Sequence, residues 1–169
     1  MVPARNRSSR KGGFTLVELL IVVIILAILA AIVVPQFVAS TSDAKLAALD
    51  SNLRNLRAAI ALYNQQHGEY PAANGDGTAL ANTEAAFISQ LTTFTDEDGD
   101  SSATKTATHI YGPYLTRSSM PTDPIVGVAT VDVGNAGTLP LVATVTTGGW
   151  KFDTVTGQLV VNHTAYDDR

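Results

Sequence analysis

The hydrophobic pattern begins with a long apolar run. Residues 14–34 are apolar except for Thr15 and Glu18. At about 1.5 Å rise per residue, a helix of this length spans roughly 30 Å, the hydrocarbon thickness of a bilayer. A secretory signal has a shorter apolar core that ends at a small-residue cleavage site. The run therefore predicts that residues 14–35 are a membrane-spanning helix half that stays on the mature protein.

The apolar positions become periodic in the second half of the same helix, residues 36–70. They recur at alternating steps of three and four residues, which places them on one stripe of a helix. The stripe consists of Leu46, Leu49, Leu53, Leu56, Ile60 and Tyr63. We expect one helix from residue 14 to about His67, ended by Gly68 as a C-cap, with its stripe packed against a sheet.

Pro35 lies inside this predicted helix. Proline has no backbone N–H and removes one hydrogen bond of the helix. We therefore expect either a simple kink or a locally loosened helix around Pro35.

The remainder of the chain predicts a connector followed by a sheet. In the connector, residues 71–138, Thr83 is a suitable N-cap for a short helix from Glu84 to about residue 93 that buries Phe87, Ile88 and Leu91. In residues 139–169, β-branched and aromatic runs predict a three-stranded antiparallel meander, with a further edge segment at Val131 and Asp132. The predicted strands are residues 139–147, 149–154 and 158–162.

Together these elements predict the α+β fold class: a long N-terminal α-helix packed against a small C-terminal antiparallel β-sheet.

Charge separates a basic leader from an acidic remainder. The formal net charge of the 169 residues is −4, and loss of residues 1–13 with their four cations would change it to −8. Those cations are Arg5, Arg7, Arg10 and Lys11. The basic leader predicts a cytoplasmic N-terminus. An acidic mature chain predicts no nucleic-acid partner, and the absence of cysteine excludes a disulfide.

Glu18 is a carboxylate in an apolar helix and needs a partner or a role. It could reach the headgroups or favour the positive end of the helix dipole. Alternatively, cleavage after Gly13 would give Phe14 a free amino group one helical turn from Glu18. The amine of one subunit could then pair with the carboxylate of the next.

The acidic stretch that contains Asp96, Asp98 and Asp100 has two interpretations. Alternating aspartates can supply oxygen ligands to calcium. The spacing differs from that of an EF-hand, because the glycine comes one place early and no Glu closes the loop. The favoured interpretation is a solvated acidic loop, with calcium as the alternative and no other cofactor expected.

Residues that carry chemistry are otherwise sparse. The sequence has no cysteine nucleophile, zinc spacing, phosphate loop or serine elbow, and His67, His109 and His163 are scattered. His67 continues the apolar stripe and is expected to be a packing residue. We do not expect an enzyme.

One stretch of the sequence runs Gly13-Phe14-Thr15-Leu16-Val17-Glu18, with basic residues before it and Pro35 downstream. It resembles the class III signal of type IV pilins and type II secretion pseudopilins. The resemblance covers roughly residues 10–70 and implies a pilin-like fold. It implies that a prepilin peptidase cuts after Gly13 and methylates Phe14. It also implies that Glu18 docks incoming subunits into a helical filament, and that the helix near Pro35 can melt on assembly.

The resemblance implies partners and location as well. The partners are further copies of the chain, other pilins or pseudopilins, and an assembly platform in the bacterial inner membrane. The chain would be single-pass in that membrane before it joins a periplasmic or extracellular filament.

Three features favour a major pseudopilin: the Gly112-Pro113-Tyr114-Leu115 stretch, the later Asp123-Pro124 and the lack of cysteine. A major pilin for adhesion, motility or DNA uptake, a minor tip subunit, and an anchored monomer are the alternatives.

Overall fold

The computed structural model describes residues 13–116 and 119–168. The predicted leader, residues 1–13, lies outside the described residues except for Gly13. The chain divides into two compact units after Ser42. We refer to the described residues from Asp43 onward as the head.

Within the described residues the chain forms two helices and five short strands. Helix α1 spans Leu16–His67 and helix α2 spans Glu84–Thr92. The strands are β1 (Phe94–Thr95), β2 (Ser101–Ser102), β3 (Val131–Gly134), β4 (Trp150–Asp153) and β5 (Leu159–Val161). One long helix with small sheets confirms the α+β fold class.

Both helices agree with the sequence prediction. Helix α1 ends at His67, where Gly68 adopts a φ of 75° and its N–H donates to the carbonyl of Asn64. Helix α1 contains Pro35 and is α-helical on both sides of it. Melting of the helix near Pro35 on assembly stays a prediction. At α2, the Thr83 side chain accepts a hydrogen bond from the N–H of Ala86, as expected of an N-cap.

The main sheet has the order β3-β4-β5 and corrects two predictions. Strand β5 pairs antiparallel with β4, but β3 pairs parallel with β4, so the sheet is not an antiparallel meander. The sheet also starts at Val131, inside the region predicted to be a connector. The expected edge segment at Val131 and Asp132 is confirmed, because β3 lies at the edge of the sheet.

Residues 139–147, predicted to be a strand, form no strand in the structure. Pro140 has no N–H to give to a ladder. The N–H groups of Leu141, Ala143 and Thr144 donate instead to side chains, and their acceptors are Gln158, Asp167 and Asn162. Because side chains take these donors, the segment forms no strand ladder.

The apolar stripe of α1 packs into one core with the sheet and α2, as predicted. From Leu49 to Tyr63 the stripe residues are at most 3% exposed, and Phe87, Trp150 and Phe152 are fully buried beside them. Arg57 adds a polar link, because its Nε and Nη2 donate to the carbonyl of Leu159 at 3.1 and 2.8 Å. The second half of α1 is thereby fixed to strand β5.

The turn between β4 and β5 depends on a glycine. Gly157 has a φ of 68°, and a Cβ added there would overlap the ring of Tyr70. Gly127 has a φ of 86° but open space around an added Cβ. We expect Gly157→Ala to cost about 1–3 kcal/mol more unfolding free energy than Gly127→Ala, because only the former adds overpacking to backbone strain. Denaturant unfolding of both variants measures the difference, and equal losses would contradict the close contact.

Asp76 organises the connector as a buried hydrogen-bond acceptor. It is 2% exposed, and its carboxylate accepts from Thr78, Ala79, Ser89 and Ser101. Burial by itself raises the pKa of Asp76, but the hydrogen bonds outweigh it and lower the pKa from 3.8 to about 2.

The folded-state pKa of Asp76 lies below the unfolded value, so the stability it contributes is present above pH 4 and lost as the pH falls towards 2. We expect Asp76→Asn to cost about 1.5–3 kcal/mol at pH 7 and to flatten this acid dependence. Thermal unfolding at pH 7, 4 and 3 measures both effects. A variant that loses stability with acid as steeply as the parent would contradict this role.

Candidate assembly site at the start of the long helix

Thr15 and Glu18 form a reciprocal hydrogen-bonded pair at the start of α1. The N–H and hydroxyl of Thr15 donate to Glu18 Oε2 at 2.9 and 2.8 Å. The N–H of Glu18 donates back to the Thr15 hydroxyl oxygen at 3.2 Å. This is a capping box, in which an N-cap Thr and a Glu three residues later satisfy free N–H groups of the first turn. Glu18 therefore helps to start the helix.

The capping box leaves part of the carboxylate available. All three hydrogen bonds involve Thr15, and within the described residues Glu18 Oε1 accepts none. The side chain is exposed. Glu18 can therefore keep its helix cap while Oε1 faces a positive group from another molecule.

Gly13 and Phe14 precede the helix and are accessible. Neither residue is helical, and Phe14 is 81% exposed. A Cβ added at Gly13 would meet nothing within 4 Å. A peptidase could thus reach the Gly13–Phe14 bond without unfolding α1. The capping N–H of Thr15 belongs to the next peptide bond, so cleavage would leave the cap intact.

The first half of α1 presents apolar side chains on all sides. Every residue from Phe14 to Val38 is exposed. Among the described residues, α1 is the one helix long and apolar enough to cross a membrane. Burying one large apolar side chain gains roughly 1.5–3 kcal/mol, so this surface favours lipid or other apolar helices as its surroundings.

The Gly-Pro-Tyr-Leu and Asp-Pro region of the connector contacts α1 through polar groups. Asn52 on α1 donates to the carbonyl of Thr122, and the Tyr114 hydroxyl donates to Gln66 Oε1. Asp123 is fully buried and accepts the N–H of Ile125, which holds the Asp-Pro turn. These contacts are structural.

The three aspartates considered as alternative calcium ligands lie in a loop that is closed by its own hydrogen bonds. Asp96 Oδ1 accepts the N–H groups of Asp98 and Asp100, so this oxygen closes its own loop. In residues 13–116 and 119–168, no group of three or more His, Cys, Asp and Glu side chains is placed to hold a metal ion. Calcium binding at this loop stays a prediction.

The histidines occupy separate local environments. His67 is half-buried against the rings of Tyr63, Tyr111 and Tyr114, which confirms its packing role. Burial lowers the pKa of His67, partly offset by a hydrogen bond to Glu97 and the charge of Asp96. His109 contacts Thr106 and Thr108, whereas His163 packs on Tyr166.

Comparison with known proteins assigns the N-terminal region. A family model described as the prokaryotic N-terminal methylation motif matches residues 8–34. Type II secretion system core protein G of Pseudomonas aeruginosa is 38% identical over 63 residues, which cover 37% of this chain and 44% of that protein. Type IV narrow pilus major component PilA5 of Thermus thermophilus is 39% identical over 83 residues, covering 49% of this chain and 69% of that protein.

A third relative, the fimbrial protein of Neisseria meningitidis, is 33% identical over 72 residues, covering 43% of this chain and 42% of that protein. The chain spans about half the length of the core protein G relatives that it matches. No solved structure matches the chain. The chain matches most of the narrow-pilus component and carries the methylation motif, and both findings agree with the geometry around Glu18. The chain therefore belongs to the family of type IV pilins and type II secretion pseudopilins.

Proposed function

We propose that this protein is the major pseudopilin of a type II secretion system, a structural subunit that polymerises into a helical fibre. Four relatives named type II secretion system core protein G, at 32–38% identity, support this assignment over the alternatives. The Gly-Pro-Tyr-Leu segment and the absence of cysteine support it as well.

One observation carries the polymer proposal: an exposed apolar helix half with a carboxylate, Glu18, in its first turn. Residues 14–38 need an apolar environment, and Glu18 Oε1 is available beside it. In a fibre, neighbouring helices would replace lipid around this surface. The Phe14 amine of one subunit would pair with Glu18 of the next and set the register, because an unpaired charge in an apolar core is costly.

The proposal includes processing, orientation and partners. A prepilin peptidase cuts after Gly13 and methylates Phe14 while the leader is cytoplasmic. An inner-membrane assembly platform then transfers the subunit from the membrane to a periplasmic fibre, where other pseudopilins join it. The protein acts mechanically and not as an enzyme.

A second candidate, the major subunit of a type IV pilus, is favoured by one specific observation. Among the relatives compared, the chain covers the largest share, 69%, of the Thermus thermophilus protein, which is named as a component of a narrow type IV pilus. In that case the fibre would be extracellular and would serve adhesion, motility or DNA uptake.

Deletion of the chromosomal gene separates the two candidates. A pseudopilin deletion is expected to leave secreted enzymes in the periplasm while surface fibres remain. Complementation with the parent chain should restore secretion, and complementation with Glu18→Gln should not. Normal secretion together with loss of surface fibres would overturn the pseudopilin assignment in favour of the pilus.

A further inference from the structure

The turn that follows the long helix places an asparagine directly before a glycine. Asn74 and Gly75 lie between α1 and α2, outside any helix or strand. Asn74 is exposed, and it is the one asparagine of the sequence that precedes a glycine. Asparagine is a thermolabile residue, because the backbone nitrogen of the next residue can attack its side-chain carbon. The pair is therefore a candidate site of covalent change.

The fold requires this glycine and leaves its nitrogen without a hydrogen bond. A Cβ added at Gly75 would lie 2.5 Å from the carbonyl oxygen of Ala79, so the turn has no room for a larger residue. Among the described residues the N–H of Gly75 has no acceptor, whereas its carbonyl accepts from Gln90 Nε2. Neither a side chain nor a hydrogen bond of Gly75 therefore hinders attack by its nitrogen.

The other described asparagines lack this combination. Three lie inside α1, where helix hydrogen bonds occupy the N–H of the residue that follows. They are Asn52, Asn55 and Asn64. Asn162 is 5% exposed, and its Oδ1 accepts the N–H of Thr144. Asn82 and Asn135 lie in loops but precede residues with a Cβ, which crowds the attacking nitrogen.

We propose that Asn74 of the folded head deamidates spontaneously, by attack of the Gly75 nitrogen on Asn74 Cγ. The new C–N bond closes a succinimide ring, and the bond from Cγ to Nδ2 breaks. Ammonia leaves with the proton of the Gly75 nitrogen. Water then opens the ring: addition at Cγ gives aspartate, and addition at the backbone carbonyl carbon gives isoaspartate. The reaction needs no partner protein, so it applies to a membrane subunit and a fibre subunit alike.

The product changes the charge pattern beside the end of α1. In the parent chain, Asn74 Nδ2 donates a hydrogen bond to Glu69 Oε2. A carboxylate has no N–H to donate, so deamidation replaces this bond with a contact between like charges. Glu97 and Asp98 line the same polar cavity as Asn74 and Glu69, so the new charge joins three others. We therefore expect the modified head to be less stable at low salt, where charge repulsion is least screened.

Ageing of the folded chain tests the modification itself. The processed chain in maltoside micelles is incubated at pH 6, 7 and 8 until half of a guanidinium-unfolded sample has converted. Both samples are then digested with an acid protease and analysed by mass spectrometry that separates aspartate from isoaspartate. In the folded sample we expect the exchange of ammonia for water at Asn74 and not at Asn135, faster at higher pH because the deprotonated nitrogen attacks. Conversion of Asn74 in the unfolded sample only, or equal conversion of Asn135, would overturn the proposal.

Variants test the consequence at Glu69. Asn74→Asp reproduces the aspartate product and should lower the melting temperature at low salt by about 2–5 °C, through loss of one exposed hydrogen bond and gain of one like-charge contact. In a Glu69→Gln background the same substitution should have little effect, because a neutral amide can donate to the new carboxylate. Asn135→Asp, at another exposed loop position, is the matched control and should melt like the parent. An equal decrease with and without Glu69→Gln would overturn the contact with Glu69.

Discussion

Glu18→Gln is expected to reduce filament yield at least tenfold while cleavage after Gly13 and membrane insertion continue. Glutamine can take the place of glutamate in a capping box, so the hydrogen bonds to Thr15 can form again. The substitution removes only the charge, and with it the proposed ion pair to the Phe14 amine of the next subunit. Quantitative blotting of sheared filaments against total cell protein measures the yield.

Two controls separate charge from helix capping. Thr15→Ala removes the capping hydroxyl and keeps the carboxylate, so it should lower yield far less than Glu18→Gln. Asp43→Asn removes an exposed acid from the same helix and should assemble normally. If Glu18→Gln assembles at the parental level, the carboxylate acts only as a helix cap and the register mechanism is wrong.

Phe152→Ala is expected to lower the unfolding free energy of the head by about 3–5 kcal/mol. Phe152 is fully buried in β4, and its ring packs against Phe87 of α2 at 4.7 Å between centroids and against Tyr70 at 6.5 Å. Truncation would leave a cavity where helix, connector and sheet meet. Urea unfolding in maltoside micelles, followed by the fluorescence of the single, fully buried Trp150, measures the loss.

Val155→Ala provides the matched control, because Val155 lies in the adjacent turn and is 61% exposed. Its stability should stay within about 0.5 kcal/mol of the parent. If Phe152→Ala lowers the unfolding free energy of the head by less than about 1 kcal/mol, the core is not centred on β4.

The helices could be predicted because their signals are local. The alternating three- and four-residue spacing from Leu46 to Tyr63 defines the buried stripe, and Gly68 and Thr83 mark helix ends through their own backbone and side-chain chemistry. The same local rule, applied to Thr15 and Glu18, would have identified the capping box, which the sequence interpretation missed.

The sheet was harder to predict because its pairing depends on distant groups. Residues 139–147 have strand composition, but side chains from residues 158, 162 and 167 take their N–H groups. Strand β3 has only four residues. It pairs in parallel with β4, in which Trp150, the partner of Val131, lies 19 positions later in the chain.

Intact mass and N-terminal sequencing of protein recovered from membranes or sheared filaments would show whether this chain is a processed fibre subunit. We expect a mature chain that begins with N-methylated Phe14 and lacks residues 1–13. A chain that still starts at Met1, or one cut after the apolar run, would contradict it and leave an anchored or secreted domain instead.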